Sequence, residues 1–155
     1  MKLLNLDNLN EPFICRDESG LFTELLGAAA GSQKIYVNID HVPPQTFSTR
    51  YHSHSEQEEF FLILQGSGVL RFNDAEYPIQ KGDFLAKIPA QNNAHTFYNS
   101  SDDTLIILDV GTVQKEDTCY YPDDDIYLQK SQGEQRVYSG QSLLRGWTPK
   151  ITREL

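Results

Sequence analysis

The chain has 155 residues, enough for one domain with a substantial core. Thirteen basic against 22 acidic residues leave a net charge of −9, and such a surface repels phosphate backbones and anionic lipid, which argues against nucleic-acid and membrane partners. Cys15 and Cys119 make neither a disulfide framework nor a CxxC pair, as befits a reducing compartment.

Residues 1–33 read as an arm. Leucines stand at 3, 4, 6 and 9, and the basic start and apolar stretch of a signal peptide are missing, so a cytoplasmic location is expected. Residues 21–30 predict a short helical or irregular segment ending at Gly31. From Lys34 the pattern turns to β, with runs over 34–40, 46–54, 59–65, 68–72, 76–79, 83–88, 95–99 and 104–110 that are rich in Val, Ile, Phe and Tyr. Turn residues separate them: Pro43-Pro44, Gly66-Ser67-Gly68, Lys81-Gly82-Asp83, the 99–103 stretch, and Asn73-Asp74, where both residues tolerate the positive φ of a tight hairpin. Short strands with no room for crossover helices predict an all-β antiparallel sandwich or small barrel. The longest apolar runs, 60–64 and 105–108, are far below the roughly 20 residues of a membrane helix. Residues 113–155 form an extension with Tyr120, Tyr121, Tyr127, Tyr138 and Trp147 but no sustained periodicity. It is too aromatic for a linker, and packing on the barrel or on a partner subunit is expected of it. The organisation is thus an arm over 1–33, a barrel over 34–112 and an extension over 113–155.

The chemistry concentrates in His52-Ser53-His54, in Glu59, and in His95 further along. Residues i and i+2 of a strand share a face, roughly 6.6 Å apart, so both imidazoles of the pair can lean onto one ion. Glu59 can return on the next strand and His95 can come from elsewhere in the sheet. A lone histidine beside acidic residues is most often a solvated loop residue, but the constellation points to a site. Imidazoles with one carboxylate suit a single divalent transition metal: Mn, Fe, Ni, Co or Zn.

The spacing His52-x-His54-x4-Glu59-x6-Gly66 resembles the first motif of the cupins, and Gly82-x6-Pro89-x5-His95-x3-Asn99 resembles the second. Two gaps of the second motif are one residue longer than usual, and its glycine between Pro and His is replaced by a stretch with Asn92 and Asn93, which also tolerate positive φ. These departures bear on the loop path more than on the ligand. The resemblance covers residues 34–112 and favours Glu59 over Glu58, which would leave seven residues before Gly66. It implies the double-stranded β-helix, or jelly-roll, fold. It implies His52, His54, Glu59 and His95 as metal ligands, and a homodimer. Phe60, Leu62 and Leu64, opposite in parity to Glu59, then form an apolar outward stripe.

Three imidazoles and a carboxylate leave two positions open on an octahedral ion, suited to capture of a diol, hydroxy-carbonyl or hydroxy-acid. Tyr36, Asn38 and Arg50 are the pocket candidates. Arg50 shares strand parity with the histidine pair, although each of the three is by default a rim residue. His41 reads as a loop histidine and Asn99 as loop support. No nucleophile motif or phosphate-cradling loop is present. Cupins resembling this chain include isomerases, dioxygenases and lyases, so the expected function is a metalloenzyme acting on a small oxygen-rich molecule such as a sugar, hydroxy acid or diol. The alternative is a non-catalytic cupin that binds or senses a small ligand. With Arg50, Lys34 and Lys87 as the only nearby cations, a phosphorylated sugar needs more cationic help than a carboxylate, polyol or catechol.

Overall fold

The computed structural model describes residues 3–89 and 92–142. Its centre is a six-stranded antiparallel sheet in the order β1 (Ile14–Arg16), β2 (Phe22–Leu25), β3 (Ile35–Val42), β10 (Leu105–Thr112), β5 (Glu59–Gln65) and β8 (Phe84–Lys87). A three-stranded sheet, β7 (Ala75–Gln80), β6 (Ser67–Phe72) and β9 (His95–Tyr98), faces it. Between them lies the apolar core of Val42, Phe61, Ile63, Leu70, Ile79, Phe97, Leu105 and Ile107. Strict alternation drives this arrangement. In β5, Glu59, Phe61 and Ile63 are buried, whereas Phe60 is exposed and Leu62 and Leu64 are half-buried. Residues Asn73 and Asp74, at φ 48° and 62°, close the β6–β7 hairpin with the two-residue loop expected of them.

The strand expected over 46–54 is mostly loop. Only β4 (Ser53–His54) is regular, and isolated bridges at Phe47↔Tyr98 and His52↔His95 tie the rest to β9. Within the arm, β1 and β2 pair with each other and β2 pairs with β3 as far as His41, while β10 pairs with β3 on to Val42. Accordingly His41 is a strand residue and not a loop one: its Nε2 lies 2.9 Å from Glu24 Oε2 and its ring stacks on Phe22 at 3.9 Å. The expected helical segment is the five-residue α1 (Leu26–Ala30), capped by Gly31 at φ 78°. No helix among the described residues is long and apolar enough to cross a membrane.

The extension is regular where it is described. Strands β11 (Asp117–Tyr121), β12 (Ile126–Ser131) and β13 (Glu134–Ser139) form a meander, and β11 pairs with β4 through Cys119↔His54 and Tyr120↔Ser53. Tyr120 and Tyr127 stack at 4.3 Å, while Trp147 lies outside the described residues. Its pairing partner is therefore the strand that carries His54.

Candidate metal centre

Strand geometry aims the ligand set. His52 and His95 form a hydrogen-bonded antiparallel pair, with His52 N donating to His95 O at 3.1 Å and His95 N to His52 O at 2.9 Å. Directly opposed residues present side chains on one face, and the two imidazole centroids are 4.8 Å apart. Donor atoms of His52, Glu59 and His95 lie within 4.8 Å of one another. His54 Nε2 lies 3.6 Å from Glu59 Oε1. Glu59 and His95 are buried, whereas Glu58 is exposed. Outer partners fix the rings: His52 Nδ1 donates to Arg50 O at 2.7 Å and His54 Nδ1 to Asp117 Oδ2 at 2.6 Å. With Nδ1 protonated, Nε2 of each ring keeps a lone pair, as metal-ligating histidines do. Asp117, from β11, also accepts from the Glu56 N–H, and these bonds hold its carboxyl near 2 although burial works to raise it.

Lys87 stands out from everything the motifs predict. It is 1% exposed, pairs in register with Glu59 across β5–β8, and brings Nζ to 2.5 Å from Glu59 Oε2 and 3.2 Å from His95 Nδ1. Burial alone would raise the Glu59 carboxyl, but Lys87 chiefly, with His95 and His54, holds it near 2. Burial and then Lys87 push His52 down to about 4 and His95 well below its ordinary value, so both rings are neutral at pH 7. Glu59 Oε2 has no aligned hydrogen-bond partner, and its Lys87 contact is one of charge. Neutral imidazoles and an ionised carboxylate are the donor chemistry a divalent ion requires, and the Lys87 ammonium is a competing cation at the same carboxylate. The cluster can hold such an ion.

Inward of the histidines lies a cavity of about 170 Å³ lined in part by Thr49, Phe61, Phe97, Asp40 and Asp109. Tyr36 bridges two carboxyls, with its hydroxyl 3.0 Å from Glu59 Oε1 and 2.9 Å from Asp109 Oδ1. One hydroxyl hydrogen serves only one of them. Glu59 is the ionised partner and takes it, so Asp109 carries a proton of its own. Burial first and the neighbouring Asp40 second push Asp109 up to about 8. Tyr36 reaches this place because Gly111 opposite it has no side chain: a Cβ there would lie 2.5–2.6 Å from the Tyr36 ring and hydroxyl. Of the other candidates, Asn38 shares the inward face of β3, opposite Asp109. The Arg50 guanidinium is turned outward, 74% exposed, onto Asp124 at 2.7 Å. Asn99 is fully buried and ties Val42 O and Asp103 O, each at 2.8 Å.

The model of the cupin domain matches residues 38–111. Those residues are a cupin domain. No curated protein matches the sequence. Among solved structures, the chain resembles a sugar phosphate isomerase of Silicibacter pomeroyi described as from a cupin superfamily, with TM-score 0.81, 27% identity, and 91% of this chain and 94% of that one covered. A protein of Acidithiobacillus ferrooxidans provisionally assigned as a sugar phosphate isomerase gives TM-score 0.76 and 28% identity over 88% of this chain and 83% of that one. The polyketide cyclase RemF of Streptomyces resistomycificus shares the fold alone, at TM-score 0.59 and 21% identity over 74% and 80%.

Several contributors to the site carry weak sequence signals. Lys87 is a lysine in a strand, a type almost never buried unless paired. Asp109 ends an apolar run. Asp117, Cys119 and Tyr121 alternate at period 2, the one cue that the extension contains an inward-facing strand.

Proposed function

We infer that this cupin is a metal-dependent enzyme that isomerises a small oxygen-rich molecule of the sugar type by proton transfer. The observation that carries the reading is the Asp109–Tyr36–Glu59 chain beside the histidines, which stores a proton at a carboxyl next to the cavity. A bound divalent ion would polarise a carbonyl or hydroxyl oxygen of the substrate. Asp109, with Tyr36 as its neighbour, is placed to give or take the proton that moves between adjacent carbons. Such a shift is redox-neutral and needs no dioxygen. Phe61, Phe97 and Ile107 add apolar walls to a cavity otherwise lined by polar groups. The likeness to two structures described as sugar phosphate isomerases supports the same class.

The anionic end of a phosphorylated substrate would lie outside the cavity. Ser48 and Thr49 line both the cavity and a groove that also contains Arg50 and Arg71. Arg50 is held on Asp124 and Arg71 on Asp123, so a phosphate must displace a carboxylate to be clamped. An Arg50→Ala variant should therefore raise KM for a phosphorylated sugar and leave its unphosphorylated counterpart unchanged.

The test is turnover in D2O of sugars, sugar phosphates, hydroxy acids and diphenols, with manganese, iron, nickel, cobalt or zinc supplied. Isomerisation with solvent deuterium at carbon, reduced at least roughly 100-fold in Asp109→Asn, is the expected result. Products that require oxygen would replace the isomerase reading with an oxygenase one. Binding without any turnover or exchange would favour a non-catalytic, ligand-sensing cupin.

A further inference from the structure

Within β4 successive side chains leave opposite faces, so Ser53 points away from the side of the sheet that carries His54. It points into a second cleft, of about 340 Å³, between the extension and the turn of the β6–β7 hairpin. That volume falls within the range of about 300–1,000 Å³ found for small-molecule sites. Register builds its floor. Ser53 stands directly opposite Tyr120, Tyr120 opposite Tyr127, and Tyr127 opposite Tyr138, so one hydroxyl and three phenol rings form a row on one face of the sheet. Tyr120 and Tyr127 stack at 4.3 Å, and Tyr138, 39% exposed, continues the row beyond the cleft. Tyr51 makes a rigid wall. It is 5% exposed, the Arg71 guanidinium covers its ring at 3.7 Å, and its hydroxyl accepts from the Asp74 N–H at 2.9 Å.

The polar groups of this cleft are partly uncommitted. Ser53 is 3% exposed, yet its hydroxyl has no hydrogen-bond partner among the described residues, and neither has the Thr118 hydroxyl nor the Asn92 amide. A nearly buried hydroxyl that faces only a cleft is a ready partner for a ligand. Free charge is missing from the lining: Asp74 is paired with Arg71 at 2.9 Å, and His54 with Asp117 at 2.6 Å. A phosphate or carboxylate therefore finds no unpaired cation among the lining residues. Hydroxyls and amides both donate and accept, which matches a ligand rich in hydroxyls. A proline-rich segment, the other usual occupant of an aromatic groove, would offer these groups mainly carbonyl acceptors. A pyranose ring meets both demands, with an apolar face of C–H bonds for the tyrosines and a rim of hydroxyls for the polar groups.

We propose that this cleft binds a neutral saccharide, stacked on Tyr120 and Tyr127 and hydrogen-bonded by Ser53, Thr118 and Asn92. The site is apart from the histidine cavity, and its occupation does not depend on a metal. Tyr138, next in the row, leaves a second aromatic face for a second ring, so the fitting ligand is a disaccharide or longer.

The experiment follows the amide shifts of the isotope-labelled full chain, stripped with EDTA, as maltose, cellobiose and lactose are each titrated into the millimolar range. The expected result is saturable binding of at least one, with shifts concentrated at Ser53, Thr118, Tyr120 and Tyr127 and an affinity unchanged by added zinc. Thr118→Val, which keeps the shape and removes the hydroxyl, should weaken binding about fivefold. Tyr127→Ala should weaken it about tenfold. Absence of saturable binding by all three sugars overturns the proposal and leaves the metal-dependent reading intact. Binding that needs zinc, or that both variants leave unchanged, places the sugar elsewhere and overturns it as well. A decaproline peptide that shifts the same amides where the sugars do not makes the cleft a peptide site instead. Thr118→Val decides alone if Tyr127→Ala does not fold.

Discussion

Lys87 and Asp109 set opposite demands on the interior. Lys87 balances the charge of Glu59 at 2.5 Å, and removing one member of a buried pair typically costs about 3–5 kcal/mol because the other is left uncompensated. Lys87→Met should therefore lower the thermal midpoint in EDTA, by about 3 °C per kcal/mol for a domain of this size, and a divalent ion should restore most of the loss. Equal midpoints for parent and variant in EDTA would mean that the ion pair contributes nothing. Asp109 acts in the other direction. Its folded value of about 8 lies above its ordinary 3.8, so the folded state binds more protons through that window, and stability falls as pH rises towards 8. His52 and His95 have depressed values and give a rise with pH that is nearly complete by pH 7, which isolates Asp109 above it. Urea unfolding of the metal-free parent should lose on the order of 1 kcal/mol between pH 7 and 8, and Asp109→Asn, neutral and still a donor, should be flat there. Parallel curves would remove the proton from Asp109.

At the scale of elements, β3, β5 and β10 hold the inner wall, and a single glycine decides how they meet. Gly111→Ala would place a methyl within 2.6 Å of the Tyr36 ring, forcing it off Glu59 and Asp109. A destabilisation of about 1–3 kcal/mol is expected, shrinking in a Tyr36→Leu background. A penalty that does not change in that background would place the clash elsewhere. The core strands were legible because their alternation is strict: β5 occupies the residues expected of it, and Glu59, not Glu58, points inward. Other elements were not. β1 is three residues long and β2 four, too short to show a period, and their pairing depends on β3. The 46–54 stretch has strand composition but meets β9 only at bridges, since its path must bend to deliver His52. Arg50 shares parity with the histidines on paper, yet outside a regular strand parity does not fix direction, and its side chain goes to Asp124. Lys87 was visible only as a positive charge, because nothing in its neighbours announces burial.

Considered whole, the molecule leaves one flank apolar. Phe60 is 40% and Phe84 70% exposed, their rings 6.1 Å apart, on the side of β5 that faces away from the site and beside the edge strand β8. A strand edge with exposed aromatics is a surface that wants covering, and we expect a homodimer through it. Light scattering should give twice the 17.7 kDa chain mass, reduced to the monomer by Phe84→Asp with Phe60→Asp. A concentration-independent monomer in the parent would refute this. The meander, for its part, is fastened to the strand of His54 through two residue pairs, and Asp117 of that meander steers the His54 ring. Opening it and releasing an ion are thus linked events, and linkage is reciprocal. Loading the centre should slow amide hydrogen exchange along β11 and β12 more than along the β6–β7 hairpin. The extension would then act as a clasp whose hold is tightened by what it encloses.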